Sequence, residues 1–382
     1  MMLKKSLSSR PTQVAAPSAT RYDYLAFYAR MSGLVLLSIL LVLIMVSCFP
    51  FLAPFHRRRW RKFIDSVEAL WVNGFLWLIP NTFLELHGEL PDASARPKIV
   101  VCNHATEVDW IYLWMVARVT NYGSVDRTGS VKIMLKDDVR IIPIMGWGCS
   151  LFDFIFLKRN WDVDHKRIEN SLKQFASDGE PVWIFLFPEG STVNTRSLEK
   201  SRAWGAKSSP ARPDTSLTLL PRSRGFDHVC ETLLKYSKHE PEVFDLTMTF
   251  EGYSGEVPSW EMGYKRSVDV LIPNFYKILF GTASRHCHIE STKFVYKQLK
   301  QQYPHGLESW LDERWVRKEK LLRGFAANQT FDEEECGKPF LIPISGSIWG
   351  SMMAVAFYTC MWFGMLFTYA KYSTDGRAFF HF

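Results

Sequence analysis

Cysteine is poor in pattern in this 382-residue chain: its seven cysteines are scattered, odd in number and nowhere spaced C-x-x-C. That excludes a disulfide framework and fits a reducing compartment around most of the chain. G-x-S-x-G is missing, so the chain carries no nucleophile elbow of the serine-hydrolase kind. There is no internal repeat. The formal charge of +7 is mild. Its Lys and Arg gather beside apolar segments instead of alternating with aromatics, which disfavours nucleic acid as a partner and favours anionic membrane lipid. Charge is absent altogether from two long stretches, residues 31–55 and 339–370.

Those two uncharged stretches frame the rest of the chain. Residues 1–30 are polar and rich in Ser, Pro and Ala, which predicts a flexible N-terminal segment. Residues 31–55 exceed the roughly 20 apolar residues that a bilayer span needs and lie too far in for a cleaved signal, so they predict a transmembrane anchor. Arg57 to Lys62 (RRRWRK) come immediately after and orient the rest of the chain to the cytosol by the positive-inside rule. Within the basic flank at 56–95, Val67 to Leu86 contains Glu68, Asn73, Pro80 and Glu85. It predicts an interfacial or re-entrant helix broken at Pro80. The 15% aromatic content, with 14 tryptophans, suits such an interface. The stretch 339–371 predicts a C-terminal membrane segment.

Between these lies the main domain, residues 96–330, where short apolar runs alternate with helix-like connections. KIVVC (98–102), KIML (132–135), DFIFL (153–157), VWIFLF (182–187), LTLL (217–220), FDLTMTF (244–250), SVDVLI (267–272) and CHIEST (287–292) are the strand candidates. Residues 306–325 have one apolar face and predict a helix. The fold class is α/β, with a central, largely buried sheet.

Four polar clusters sit at predicted strand ends. The first is NHATEVD, with Asn103, His104 and Asp109. His104 comes after a strand and Asp109 opens a helix. Five positions is no same-face spacing within a helix, so the two meet only if His104 sits in the turn before it. The carboxylate would then fix the ring tautomer and leave the other nitrogen as a base, half of a serine-protease triad with the hydroxyl left to a substrate. A helix cap with a polar cluster explains the same residues. The spacing recurs at His87 and Asp92, in a Gly/Pro-bearing connection, so context carries the argument. The second cluster is Lys158 and Arg159, suited to phosphate. The third is FPEGS, with Glu189, Gly190 and Ser191, where glycine admits close approach of a ligand to the backbone. The fourth is LLPRSRGF, with Pro221, Arg222 and Arg224. Ligands of parallel α/β sheets collect at the carboxyl ends of strands, so one shared site is the economical reading.

In order and spacing, NHATEVD, FIFLKR, FPEGS and LLPRSRGF resemble the four blocks of the membrane glycerophospholipid acyltransferases of the 1-acylglycerol-3-phosphate acyltransferase type. IIPIMGWG (141–148) and WLDERWVRKEKLL (310–322) resemble its lysophosphatidate, lysocardiolipin and lysophosphatidylinositol subgroup. The resemblance spans roughly residues 67–330. It implies acyl transfer from acyl-CoA to a lysophospholipid, at sn-2, without a covalent acyl-enzyme, a metal or a cofactor, at the endoplasmic reticulum. His104 would be the base and Asp109 its orienting acid. Lys158 and Arg159 would grip the acceptor phosphate. Glu189 and Gly190, flanked by Ser191 and with Asn103 nearby, would position the acceptor, and Pro221 and Arg222 would lie in the block linked to acyl-donor binding. Two departures stand out. Where the third block commonly reads EGTR, this chain has EGST, with Thr192 at the arginine position, which leaves room for a larger head group. A basic insert, 196–212, separates blocks three and four and reads as a membrane-facing or disordered loop.

Two other classes fit the residues less well. A hydrolase would use the same His–Asp pair with water and release CoA without an acceptor. A membrane scaffold would tolerate loss of His104. The His286-Cys287-His288 run has too few companion ligands for a metal. The sequon at Asn328 is idle on the cytosolic side.

Overall fold

The apolar runs assemble into one eight-stranded mixed sheet in the order β4-β3-β5-β2-β6-β7-β1-β8. The strands are β1 (Thr82–Gly88), β2 (Lys98–Cys102), β3 (Val131–Lys136), β4 (Ile155–Leu157), β5 (Trp183–Leu186), β6 (Glu242–Phe250), β7 (His286–Val295) and β8 (Phe340–Ile344). The computed structural model describes residues 20–120, 125–259 and 268–347. Strands β4, β3, β5, β2 and β6 run parallel. β7 is antiparallel to β6 and parallel to β1, and β8 closes the edge antiparallel to β1. The carboxyl ends of β2, β4 and β5 therefore share one rim.

Eleven helices are described: α1 (Arg21–Leu52), α2 (Arg57–Leu78), α3 (Asp109–Arg118), α4 (Met145–Leu151), α5 (Trp161–Asp178), α6 (Thr195–Lys207), α7 (Ser223–Tyr236), α8 (Phe275–Phe280), α9 (Tyr296–Gln302), α10 (Glu308–Asn328) and α11 (Glu333–Cys336). They cover both faces of the sheet, which is why KIVVC reads as a continuous apolar run and not an alternating one. Val100 and Cys102 join the core under α2 and α3, while Ile99 and Val101 join the core under α5, α7 and α10. Local chemistry sets the helix ends. The Asn160 side chain accepts from the Asp162 N–H at the start of α5, and α5 stops at Gly179, whose φ of +69° costs a glycine little.

Several expectations change. The run LTLL (217–220) bends at Leu217 and Thr218 and pairs with no described strand, because its N–H groups go to side chains: Leu219 to Glu189 and Leu220 to Ser201. The described part of SVDVLI, residues 268–272, forms turns around Asp269. Pro80 does end a helix, α2, yet the chain beyond it enters strand β1 inside the sheet and forms no re-entrant limb. His87 thus sits on a strand, fully buried, bonded to the Gly337 carbonyl at 2.9 Å, while Asp92 pairs with Lys98. The basic insert is ordered: a capping box at Asn194 and Ser197 starts α6, and the buried Arg212 grips Asp312 through Nε at 2.9 Å.

The N-terminal segment becomes helical well before residue 31, at Arg21, under a Thr20–Asp23 capping box. α1 is uncharged from residue 31 onward and is long and apolar enough to cross a membrane. It also packs along the domain: Tyr24 on Phe280, Arg30 on the Leu279 carbonyl, Ser38 on Trp71 and Phe49 on Trp60. Leu36, Leu43 and Val46 face outward. Of the expected C-terminal membrane segment, residues 340–344 form the edge strand β8, and residues 348–371 lie outside the described residues.

Candidate active site

β2 delivers Asn103 and His104 to the carboxyl rim, and a short turn carries the chain into α3, which opens at Asp109. His104 Nδ1 lies 3.0 Å from Asp109 Oδ2. The same oxygen accepts the N–H groups of Ala105 at 2.7 Å and Thr106 at 3.0 Å, and Oδ1 accepts the Thr106 hydroxyl at 2.8 Å. Cap and orienting acid are therefore one group: the carboxylate that closes the turn also holds the ring. The Asp109 side chain is fully buried and that of His104 is 19% exposed. Phe187, from the end of β5, stacks on the imidazole at 4.3 Å. A carboxylate at Nδ1 fixes the proton there and leaves Nε2 with its lone pair.

β5 carries the third block to the same rim. The buried Glu189 accepts from the His104 N–H at 3.2 Å, the Leu219 N–H at 3.0 Å and the Trp315 indole at 3.2 Å. Burial pushes its carboxyl up to about 8, against the downward pull of those same three donors and of Lys318. Glu189 is thus the knot joining blocks one, three and four. Its two oxygens are engaged by protein N–H groups, so it shapes the floor of the site. The Arg222 N–H also donates to the Pro188 carbonyl at 2.9 Å, which fastens block four directly to block three.

Gly190 stands exposed at the mouth with φ +71°. The Arg159 guanidinium donates to its carbonyl at 2.7 Å, and Arg222 Nε lies 3.9 Å from where a Cβ at Gly190 would stand. Two guanidinium groups thus flank one open backbone, an arrangement suited to phosphate. Lys158 is exposed, and its backbone N–H is held by Asp164. The Ser191 hydroxyl turns to the Thr192 carbonyl at 3.3 Å. Pro221 is buried, its carbonyl accepting from Arg212. Asn103 is occupied elsewhere: its amide spans the Met248 N–H at 2.8 Å and carbonyl at 3.0 Å, tying β2 to β6. Its role in this structure is to fix the strand end beneath His104.

On the other side of His104 lies a mostly apolar pocket, walled by Val193, Leu217, Met248, Phe250, Ile272 and Leu322. The site thus has a cationic mouth, an imidazole at its centre and an apolar interior. Sequence reasoning did not assign the pocket residues or Trp315. The available signal for Trp315 was Lys318 and Glu319 beside it, charges on the face of a helix that is otherwise apolar. His286 and His288 lie apart from this site, His288 paired with Glu85 at 3.2 Å. Among the described residues no cluster of three His, Cys, Asp or Glu side chains is set to hold a metal.

The family model described as Acyltransferase matches residues 84–223, and the one described as Acyltransferase C-terminus matches residues 277–343. Together they cover more than half of the chain, and the first contains three of the strand-end clusters and the fourth as far as Ser223. Both models describe acyltransferases, and the chain belongs to the acyltransferase family. It is 28% identical over 279 residues to "Probable 1-acyl-sn-glycerol-3-phosphate acyltransferase 5" of Arabidopsis thaliana, covering 73% of this chain and 66% of that protein. It is 24% identical over 301 residues to "Lysophosphatidylinositol acyltransferase 10" of Caenorhabditis elegans, covering 78% and 69%. To "Lysocardiolipin acyltransferase 1" of Danio rerio it is 26% identical over 277 residues, covering 70% and 63%. The chain spans just under two thirds of the Arabidopsis relative and less of the Danio one.

Proposed function

We propose that this protein transfers an acyl group from acyl-CoA to the sn-2 hydroxyl of a lysophospholipid, with His104 as general base. The observation that carries the reading is the His104 Nδ1–Asp109 contact at 3.0 Å, on the rim that also bears Gly190 and its two arginines. Nε2 takes the acceptor's hydroxyl proton as its oxygen attacks the thioester carbonyl. The tetrahedral intermediate collapses, the C–S bond breaks, and the thiolate leaves with the proton from Nε2. The buried Asp109 carboxylate stabilises the imidazolium between those two transfers. Base assistance of this kind is worth on the order of 100- to 10,000-fold. A thioester is already activated, so no acyl-enzyme is needed.

The cationic mouth suits the acceptor's phosphate. The relatives' names support a lysophospholipid acceptor with either a bare phosphate or a larger head group. Thr192 in place of the arginine of EGTR favours the larger one. The outward face of α1, Leu36, Leu43 and Val46, supports embedding in lipid. Arg57 to Lys62 support a cytosolic face, at the endoplasmic reticulum.

The test is an acceptor panel of lysophosphatidate, lysophosphatidylinositol and lysocardiolipin with the purified protein and acyl-CoA, monitoring CoA release. Release that depends on acceptor supports acyl transfer. Release at the same rate without acceptor makes the protein a thioesterase. A His104→Ala variant that folds normally and keeps full transfer removes the mechanism.

A further inference from the structure

The motif WLDERWVRKEKLL lies on α10, far along the chain from the four blocks, and the proposed chemistry leaves it unused. Three of its residues project from one face of that helix at i, i+3 and i+4: Trp315, Lys318 and Glu319, all buried. Such a face is normally apolar, so a buried charge there needs a partner. Each of the three has one. The Trp315 indole donates to Glu189 Oε1 at 3.2 Å. Lys318 pairs with Asp245 at 2.6 Å and caps the Leu246 carbonyl of β6. Glu319 accepts the Ser216 N–H at 3.0 Å through Oε1 and the Leu217 N–H at 2.9 Å through Oε2.

These contacts converge on the site. Glu189 holds the His104 backbone and block four, while Ser216 and Leu217 lead into block four. Leu217 and, one turn beyond Lys318 and two beyond Trp315, Leu322 wall the pocket beside His104. We infer that Trp315 and Glu319 are positioning residues of the acyl-transfer site, α10 acting as a fifth element that sets Glu189 and the block-four loop against His104. The inference rests on the proposed acyl transfer. It assigns to the indole N–H a duty that its ring does not perform. The N–H pulls against the burial that holds the Glu189 carboxyl up at about 8.

Trp315→Phe removes the N–H and keeps an aromatic ring in the core. The test is a double-mutant cycle with Glu189→Gln in the full-length protein, measuring kcat/KM for acceptor and for acyl-CoA. Trp315→Phe alone is expected to lower kcat/KM for the acceptor roughly 5-fold, the loss of one buried hydrogen bond. The KM for acyl-CoA should hold. In the Glu189→Gln background the same change should cost less, because one amide oxygen then serves the three donors that two carboxyl oxygens share. Glu319→Gln, which keeps shape and an acceptor oxygen, should show the smaller acceptor-side loss. A merely structural Trp315 would give equal losses in both backgrounds. Equal losses, or a Trp315→Phe enzyme with wild-type kcat/KM, would overturn the inference alone. Wild-type protein that acylates no acceptor would overturn the proposed function and this inference together.

Discussion

Replacing Asp109 by Asn separates its two jobs. The amide oxygen fits the place of Oδ2, where it can still accept the N–H groups of Ala105 and Thr106. The amide NH2 then meets the Thr106 hydroxyl, which can rotate to accept. The turn should hold, with the melting temperature lowered by only a few degrees. What is lost is the charge facing His104 at 3.0 Å in a fully buried position. Coulomb attraction at that separation, with an effective dielectric constant of about 20, sets an upper bound of about 5 kcal/mol on the imidazolium's stabilisation. The lower bound is one hydrogen bond to a charged group, about 1.5 kcal/mol. Between these, kcat should fall roughly 100- to 1,000-fold. The imidazolium forms only on the way to product, so the loss belongs in kcat and not in the acceptor's KM. The assay is steady-state CoA release with saturating acyl-CoA and acceptor, beside a thermal melt of the same preparation. A folded Asp109→Asn protein with kcat within about twofold of wild type would falsify the general-base account.

Arg159→Ala should raise the acceptor's KM roughly 10-fold or more while sparing acyl-CoA, since its guanidinium reaches Gly190 at the mouth; equal loss for both substrates removes it from phosphate duty. Gly190→Ala meets no close atom, yet it forces an L-residue to φ +71°, at about 1–2 kcal/mol. It should weaken acceptor use with little change in overall melting, which a melt run beside an acceptor titration checks. Asn103→Ala should lower the melting temperature with little change in the acceptor's KM, because it strands the buried N–H and C=O of Met248 at about 1–3 kcal/mol each; the opposite pattern would restore Asn103 as a substrate ligand. Asp227, at the start of α7, has its carboxyl pushed up to about 6 by burial, above its ordinary 3.8. The unfolded acid ionises first as pH rises, so the folded state loses stability between those values and stays penalised above them. Asp227→Asn should therefore raise the melting temperature at pH 7 and leave it unchanged near pH 3; a rise of equal size at both would assign the gain to something other than ionisation.

How much of this was legible in the sequence depended on whether the signal was local. β2, β6, β7 and α10 announce themselves through apolar runs and period, and so does the turn that lets His104 reach Asp109. LTLL misled because an apolar run implies burial, not strand pairing: Leu219 and Leu220 are buried, but their N–H groups go to Glu189 and Ser201. Thr82 to Leu86 look like the tail of an apolar helix, and His87 like part of a connection. Their true partners, β7 and β8, lie roughly 200 or more residues further along, and pairing at that distance leaves no local trace. Within the site, the residue types were legible and their duties less so. Asn103 looked like a substrate ligand because polar residues at strand ends often are. Its partner Met248, 145 positions away, gives its amide a second duty that no local signal shows.

The third block raises the harder question of how EGST manages without the arginine of EGTR. The structure has positive charge at the same backbone from two neighbours. Arg159 arrives from the turn after β4, and Arg222 arrives as the residue that starts α7. Arg159 does so at φ +60°, where an L-residue costs about 1–2 kcal/mol. Asp164 holds the N–H groups of Lys158 and Asn160 on either side, which closes the turn around Arg159 in that conformation. The turn aims the guanidinium at the exposed Gly190 carbonyl. An arginine at position 192 would have added a third charge from the loop itself. With Thr192 there instead, that third charge is missing. On the proposed acyl transfer, the acceptor's phosphate then meets two arginines and not three, which suits a head group larger than a bare phosphate.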